Sequence, residues 1–206
     1  GARDLEAKLL RHVGAAFVED PVRILRVARF AARFDFAVAP QTMALMRQMV
    51  KEGEADALVP ERVWQEFSKG LMEPHVARMF EVLADCGLLS GLLPELDIAF
   101  DLQAPQAAPA NPATRRLLGA LRHAVIEARP LEARFALLAF ALRERSESAA
   151  RSLAVRLRAS NECHDALLLA ALHGEAVRAI DANSGAEVLF DVLEAADAIR
   201  RPERLR

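Results

Sequence analysis

The sequence predicts an all-α protein built of stacked helical hairpins, and three observations carry that prediction. The chain is rich in alanine, leucine and arginine, has no tyrosine and contains few β-branched residues, a usage that favours helix nearly throughout. Apolar residues recur three and four positions apart in most segments. Prolines and glycines fall where helices would start and stop. With 206 residues, 53% of them apolar and 27% charged, the chain can bury a core as one large domain or two small ones.

The formal net charge of -2 gives no global basic field, so any contact with nucleic acid rests on local arginine clusters. Cys86 and Cys163 supply neither a disulfide framework nor zinc-ligand spacing, and a reducing, cytoplasmic setting is the default. There is no signal peptide and no apolar span of about 18 residues. The chain opens at Gly1-Ala2-Arg3-Asp4 without methionine, which reads as an internal portion of a longer protein or a trimmed one.

In chain order, residues 4–11 form a short helix or strand, broken at His12-Val13-Gly14. A main helix is expected over residues 21–34, with a turn or short extended piece from Asp35-Phe36. A second starts at Pro40 and stops at Glu52-Gly53-Glu54; its methionines read as flexible core filler. A third opens at Leu58-Val59-Pro60-Glu61, and a fourth follows Pro74 and ends at Cys86-Gly87. Leu88 to Pro94 reads as a short apolar turn of helix. Pro105, Pro109 and Pro112 among alanines and glutamines mark a linker or long loop over residues 101–111. Residues 1–100 and 112–206 then form two helical regions. Helices in the second are expected over residues 112–128, 130–145, 147–158, 161–172, 174–182 and 186–199, with Gly174 and Gly185 at corners.

The chemistry-bearing stretch is Glu19-Asp20-Pro21-Val22-Arg23-Ile24-Leu25-Arg26-Val27-Ala28-Arg29-Phe30. Ile24, Leu25, Ala28, Ala31 and Ala32 supply a buried stripe, which leaves Arg23, Arg26, Arg29 and Arg33 along another side. Arginines in a first turn oppose the helix dipole and need a compensating anion. Asp20, three residues before Arg23, supplies one; a nucleotide would also do. Aspartate only accepts hydrogen bonds, whereas guanidinium donates them in a rigid fork. Side by side, the two can read the donor–acceptor edge of a base. An Asp–Arg pair stapling a helix start is the plainer alternative. On the third helix, Arg62 and Glu66 stand four apart and read as a surface pair. Trp64 reads as packed against another helix.

Metal-assisted phosphoryl chemistry is not encoded. The chain has no Asp-x-Asp on an expected strand and no glycine-rich phosphate loop. No metal ligands and no catalytic residues are expected within it. His164-Asp165 lacks partner histidines at convincing spacing, and Cys163 lacks an accompanying base and orienting carboxylate, so structural roles are expected for both. Further arginines cluster at Arg115-Arg116 with Arg122, at Arg151, Arg156 and Arg158, and at residues 200–206. They suit phosphate contacts or solvated faces; interspersed acids favour the latter.

Several segments in order resemble the neck and body of bacterial tRNA nucleotidyltransferases, the CCA-adding enzymes, and of the related bacterial poly(A) polymerases. They are Leu10-Arg11-His12-Val13, the run from Phe17 to Arg33, and Leu58-Val59-Pro60-Glu61-Arg62-Val63-Trp64-Gln65-Glu66. Lys69-Gly70-Leu71, Arg78-Met79-Phe80-Glu81-Val82-Leu83 and Leu92-Leu93-Pro94-Glu95-Leu96 follow. The resemblance implies that Asp20 and Arg23 pair with the Watson–Crick edge of CTP or ATP, supported by Glu19, with Arg26 as a second nucleotide contact. It implies that Arg62 and Glu66 brace the selecting helix, and that Arg29, Arg33 and Lys69 are candidate RNA contacts. It implies a partner tRNA or other RNA 3′ end, and Mg²⁺ bound in a head region absent from these residues. This chain alone would then be inactive; a portion of a poly(A) polymerase, or a non-catalytic helical RNA-binding protein, is the alternative. Arg134 to Glu144 is similar to the central helix of a His-Asp phosphohydrolase-type domain, but Phe140-Ala141 stands where that pattern has His-Asp and Arg143-Glu144 replaces Gly-Lys. The second region thus resembles a degenerate, metal-less version of that domain. Arg200-Arg201-Pro202-Glu203-Arg204 resembles the family's continuation toward its tail and reads as a second truncation.

Overall fold

In the computed structural model, described over residues 1–103, 108–181, 184–200 and 202, helices dominate. The elements are α1 (Ala2–Glu6), β1 (Leu9–Leu10), α2 (Val22–Phe34), β2 (Ala37–Val38), α3 (Pro40–Lys51), α4 (Pro60–Met72), α5 (Val76–Asp85) and α6 (Leu88–Leu92). After them come β3 (Phe100–Asp101), β4 (Ala108–Pro109), α7 (Pro112–Ile126), α8 (Leu131–Ala136), α9 (Glu147–Leu157), α10 (Asn161–Ala179) and α11 (Ala186–Ala195). β1 pairs in parallel with β2, and β3 pairs antiparallel with β4.

The helix boundaries follow local chemistry. Pro40, Pro60 and Pro112 open α3, α4 and α7, where the missing N–H costs nothing. Asn111, Ser146 and Ser160 cap α7, α9 and α10 by accepting from the N–H groups of Thr114, Ala149 and Cys163. Such caps contribute about 1 kcal/mol each. α2 ends where Asp35 turns left-handed, at φ 53°. This frees the chain to form β2 against β1 and brings residues 9–10 back beside the end of α2.

α2, α4 and α5 form the first layer. Ile24, Leu25 and Ala28 of α2 are buried with Val76, Met79, Phe80 and Leu83 of α5 and with Phe67 and Leu71 of α4. Phe67 meets Phe80 edge-on, with centroids 6.1 Å apart at 88°. α4 is buried on its other side too. Trp64 stands edge-on to Phe135 of α8, at 5.4 Å and 87°. The guanidinium of Arg134 is buried and donates to the carbonyls of Leu71, at 3.0 Å, and Arg129, at 2.8 Å. The Leu71 carbonyl belongs to the last turn of α4, where a cation is favoured by the helix dipole. The buried apolar side chains form one cluster that includes residues on both sides of 101–111. Backbone hydrogen bonds from Asp97 to Ala141 and from Arg143 to Glu95 tie the chain across the same place.

Three expectations are corrected. α10 runs unbroken through Gly174, where two helices with a corner were expected. One glycine costs about 1 kcal/mol in a helix interior, which the long flanking run of helix formers outweighs. The helix expected over 130–145 is only α8, followed by a 3₁₀ turn over Leu137–Ala141 that leads into the Leu96–Leu142 bridge. α11 ends at Ala195, before the left-handed Asp197. The 101–111 segment includes the β3–β4 pair; residues 104–107, with Pro105, lie outside the described residues, as do most of the basic residues at 200–206.

Gly70 on α4 faces Met79 on α5, and a Cβ there would overlap the methionine sulfur. Gly70→Ala is expected to lower stability by about 1–3 kcal/mol through overpacking, read from urea unfolding. In a double-mutant cycle with Met79→Ala the two changes should couple rather than add.

Candidate functional site

α2 and α4 lie against each other, and the charged residues singled out in the sequence fall along the seam. At its N-terminal end, Asp20 precedes α2 and Arg62 sits in the first turn of α4. The Arg62 guanidinium grips the Asp20 carboxylate with two hydrogen bonds, at 3.1 Å to Oδ1 and 2.6 Å to Oδ2. Oδ1 also accepts the backbone N–H of Val22 at 3.2 Å. The paired guanidinium holds this carboxyl below the usual carboxylate range, ahead of an opposing effect of partial burial. A carboxylate offers about four acceptor positions; among the described residues three are taken, and one on Oδ2 is left.

One turn along, the Glu66 carboxylate is 7% exposed. It accepts from Arg29 Nε at 2.6 Å and lies 3.4 Å from Arg26 Nε. Arg29, itself 13% exposed, also approaches Glu73 at 3.6 Å. The surface pair of Arg62 with Glu66 is therefore corrected: each reaches across to α2 instead, because the four-residue spacing points both side chains at the same neighbouring helix. Arg23 does not close on Asp20 either. It donates to the Ala16 carbonyl, in the 3₁₀ turn that leads into α2. Glu19 is exposed, and its side chain has no hydrogen bond or ion pair among the described residues.

At the C-terminal end of the seam, Arg29, Arg33, Ser68, Lys69, Met72, Glu73 and Leu131 line an open groove of about 490 Å³. The three basic residues expected to contact RNA thus come together in one place. Among the described residues, Arg33 and Lys69 have no acidic partner, whereas Arg29 has two. Glu73 was missed in the sequence; its signal is its place seven residues after Glu66, two turns along the same side of α4.

Burial pushes the Cys86 thiol up to about 11 and raises the buried Cys163 thiol, so neither is a nucleophile at neutral pH. No group of three or more His, Cys, Asp and Glu able to hold a metal occurs among the described residues. Phe140, where the phosphohydrolase pattern has histidine, lies under the Arg178 guanidinium at 5.6 Å, and Ala141 is fully buried. No helix among the described residues is long and apolar enough to cross a membrane.

A family profile described as a probable RNA and SrmB-binding site of polymerase A matches residues 35–100. A multifunctional CCA protein of Burkholderia mallei is 49% identical over 225 aligned residues, covering 99% of this chain and 54% of the relative. Its counterpart in Dechloromonas aromatica is 49% identical over 227, covering 100% and 54%. The chain spans about half the length of these curated relatives. A solved CCA-adding enzyme with CTP shares the fold at a TM-score of 0.67 and 22% identity, over 94% of this chain and 45% of that one. A Thermotoga maritima CCA-adding enzyme complexed with tRNA does so at 0.63 and 23%, over 86% and 42%.

Replacing Arg62 by methionine should raise the Asp20 carboxyl toward the ordinary value near 4, read by carbon-13 NMR titration. A depressed carboxylate stabilises the fold above the unfolded-state value, and that contribution is lost as pH falls through the folded-state value. The stability gap between wild type and variant should accordingly be full at neutral pH and close in acid.

Proposed function

This chain closely matches the CCA-adding enzyme and class II poly(A) polymerase family along nearly its whole length, and on that premise we propose that it selects the incoming nucleotide and contacts RNA within a CCA-adding tRNA nucleotidyltransferase. The whole enzyme adds C, C and A to tRNA 3′ ends from CTP and ATP and releases pyrophosphate. The observation that carries this reading is the fixed Asp20 carboxylate with one acceptor position open among the described residues, one turn before Arg23, whose charge reaches it.

Cytosine and adenine share an edge pattern: an exocyclic amine that donates beside a ring nitrogen that accepts. Guanine and uracil present a carbonyl oxygen beside a ring N–H. An aspartate that only accepts, next to an arginine that only donates, matches the first pair and opposes the second. Arg62 keeps Asp20 ionised and oriented, and Glu66 holds the turn of α2 that carries Arg26. To read a base, Arg23 would exchange its Ala16 carbonyl for the ring nitrogen. Glu19 needs no direct contact in this scheme.

Arg33 and Lys69 supply cation for RNA phosphate, with Arg29 mainly fixing the groove wall. No group of three or more His, Cys, Asp and Glu stands ready for a metal among the described residues. The carboxylates that bind Mg²⁺, and the transfer chemistry, would belong to the half of the relatives that these residues do not span, so this chain alone would not transfer nucleotides. The two buried free thiols suit a cytoplasmic protein.

A second reading, addition of A alone as a poly(A) polymerase, is favoured by the polymerase A description of the profile over residues 35–100. The base-edge argument serves both, and product lengths formed with CTP and ATP together separate them.

In the full-length enzyme, Asp20→Ala should cost about 1–3 kcal/mol of discrimination for CTP and ATP over UTP and GTP, roughly ten- to hundredfold, while tRNA affinity stays close to wild type. Unchanged nucleotide selectivity would overturn the assignment.

A further inference from the structure

Past the basic groove, α2 ends in a ladder of phenyl rings. The Phe34 ring lies 5.9 Å from Phe30 and 5.7 Å from Phe36, centroid to centroid. Phe30 and Phe36 are half-buried, whereas Phe34 is 49% exposed. The Arg29 guanidinium lies 4.6 Å from the Phe30 ring centroid and the Arg33 guanidinium 5.5 Å from that of Phe34. The same two arginines line the groove with Lys69, so the ladder and the groove share a border.

Exposed rings beside guanidinium groups suit one ligand in particular. An unpaired nucleotide offers a π face for the ring and a phosphate for the cation. A base-paired nucleotide has both faces already stacked and can use only the cation. An apolar peptide could use the ring but would leave Arg33 and Lys69 without an anion. The charge of the site therefore favours RNA, and the ring favours its unpaired part.

We propose that Phe34 is a stacking platform for an unpaired nucleotide of an RNA whose backbone follows Arg33 and Lys69. The proposal rests on the RNA-contact reading of the groove and adds that the strand there is single. Phe30 and Phe36 buttress the ring from either side, and Arg33 ties base to backbone. Arg23, Val27, Phe30 and Phe34 recur at four, three and four residues, so platform and base reader lie on one stripe of α2. The rise from Arg23 to Phe34 is about 16 Å, roughly five nucleotides of stacked strand. The platform thus holds the strand upstream of the nucleotide being read, fixing how far its 3′ end reaches.

The test is binding of the 206-residue chain to an unpaired oligoribonucleotide of about eight nucleotides carrying 2-aminopurine, and to a blunt RNA duplex. Phe34→Ala should weaken single-strand binding roughly tenfold and abolish the 2-aminopurine fluorescence change. It should leave duplex binding and the salt dependence unaltered. Phe34→Trp should retain single-strand binding, and Phe34→Leu should weaken it as Phe34→Ala does; circular dichroism melting checks that each variant folds. Arg33→Ala should weaken both RNAs and reduce the slope of log affinity against log salt by about 0.7–0.9. Wild-type single-strand binding by Phe34→Ala or Phe34→Leu overturns the platform. If Arg33→Ala still weakens both RNAs in that case, the groove survives. If Arg33→Ala and Lys69→Ala change nothing, the RNA reading itself fails and the platform falls with it.

Discussion

The buried carboxylate of Glu66 is the constraint on which the α2–α4 seam depends. An ion nine-tenths removed from water is tolerated only when opposite charge meets it with good geometry, and losing one partner of such a pair costs about 3–5 kcal/mol. Arg29 and Arg26 supply that charge from successive turns of α2. The rotation and axial position of α2 on α4 are thereby pinned. One turn before Glu66, Arg62 meets Asp20; on the turn after it, Lys69 lies beside Arg29 and Arg33. A parallel row on each helix, spaced by three and four residues, becomes a graded seam. Its start is an acidic acceptor held by cation, its middle is neutralised, and its end is basic and open.

The other side of α4 is held from the second half of the chain. Trp64 packs on Phe135, the Arg134 guanidinium closes the last turn of α4, and Glu61 in the first turn lies 3.5 Å from Arg158. Glu95 meets Arg156 and Ser152 nearby. These contacts hold the helix that positions Arg62 and Glu66.

Much of the candidate site was legible residue by residue. Asp20, Arg23, Arg26, Arg29, Arg33, Arg62, Glu66 and Lys69 were picked out by charge, spacing and family resemblance. Their pairing was not. Arg62 and Glu66 look like each other's partners on a lone helix, as do Asp20 and Arg23, because a sequence shows only neighbours along one chain direction. Packing α2 on α4 offers Arg62 and Glu66 shorter, better-shielded partners. Arg29 shows the same effect in reverse. It reads as one more basic contact, yet Glu66 and Glu73 consume its charge and leave Arg33 and Lys69 as the groove's cations without an acidic partner among the described residues.

The sequence by itself determined the helical class, the proline- and cap-defined starts of α3, α4, α7, α9 and α10, and the apolar stripe of α2. These follow from interactions within a few residues, which composition and period record directly. The tertiary structure decided which charge answers which, that α10 passes through Gly174, and that one buried cluster joins residues on both sides of 101–111. It also decided that Phe34 is left in water at the end of a ring ladder. Each of these turns on desolvation and partners brought from distant positions. Burial is a property of the packed chain: the same phenylalanine on the same apolar-looking helix is core or surface according to what lies against it.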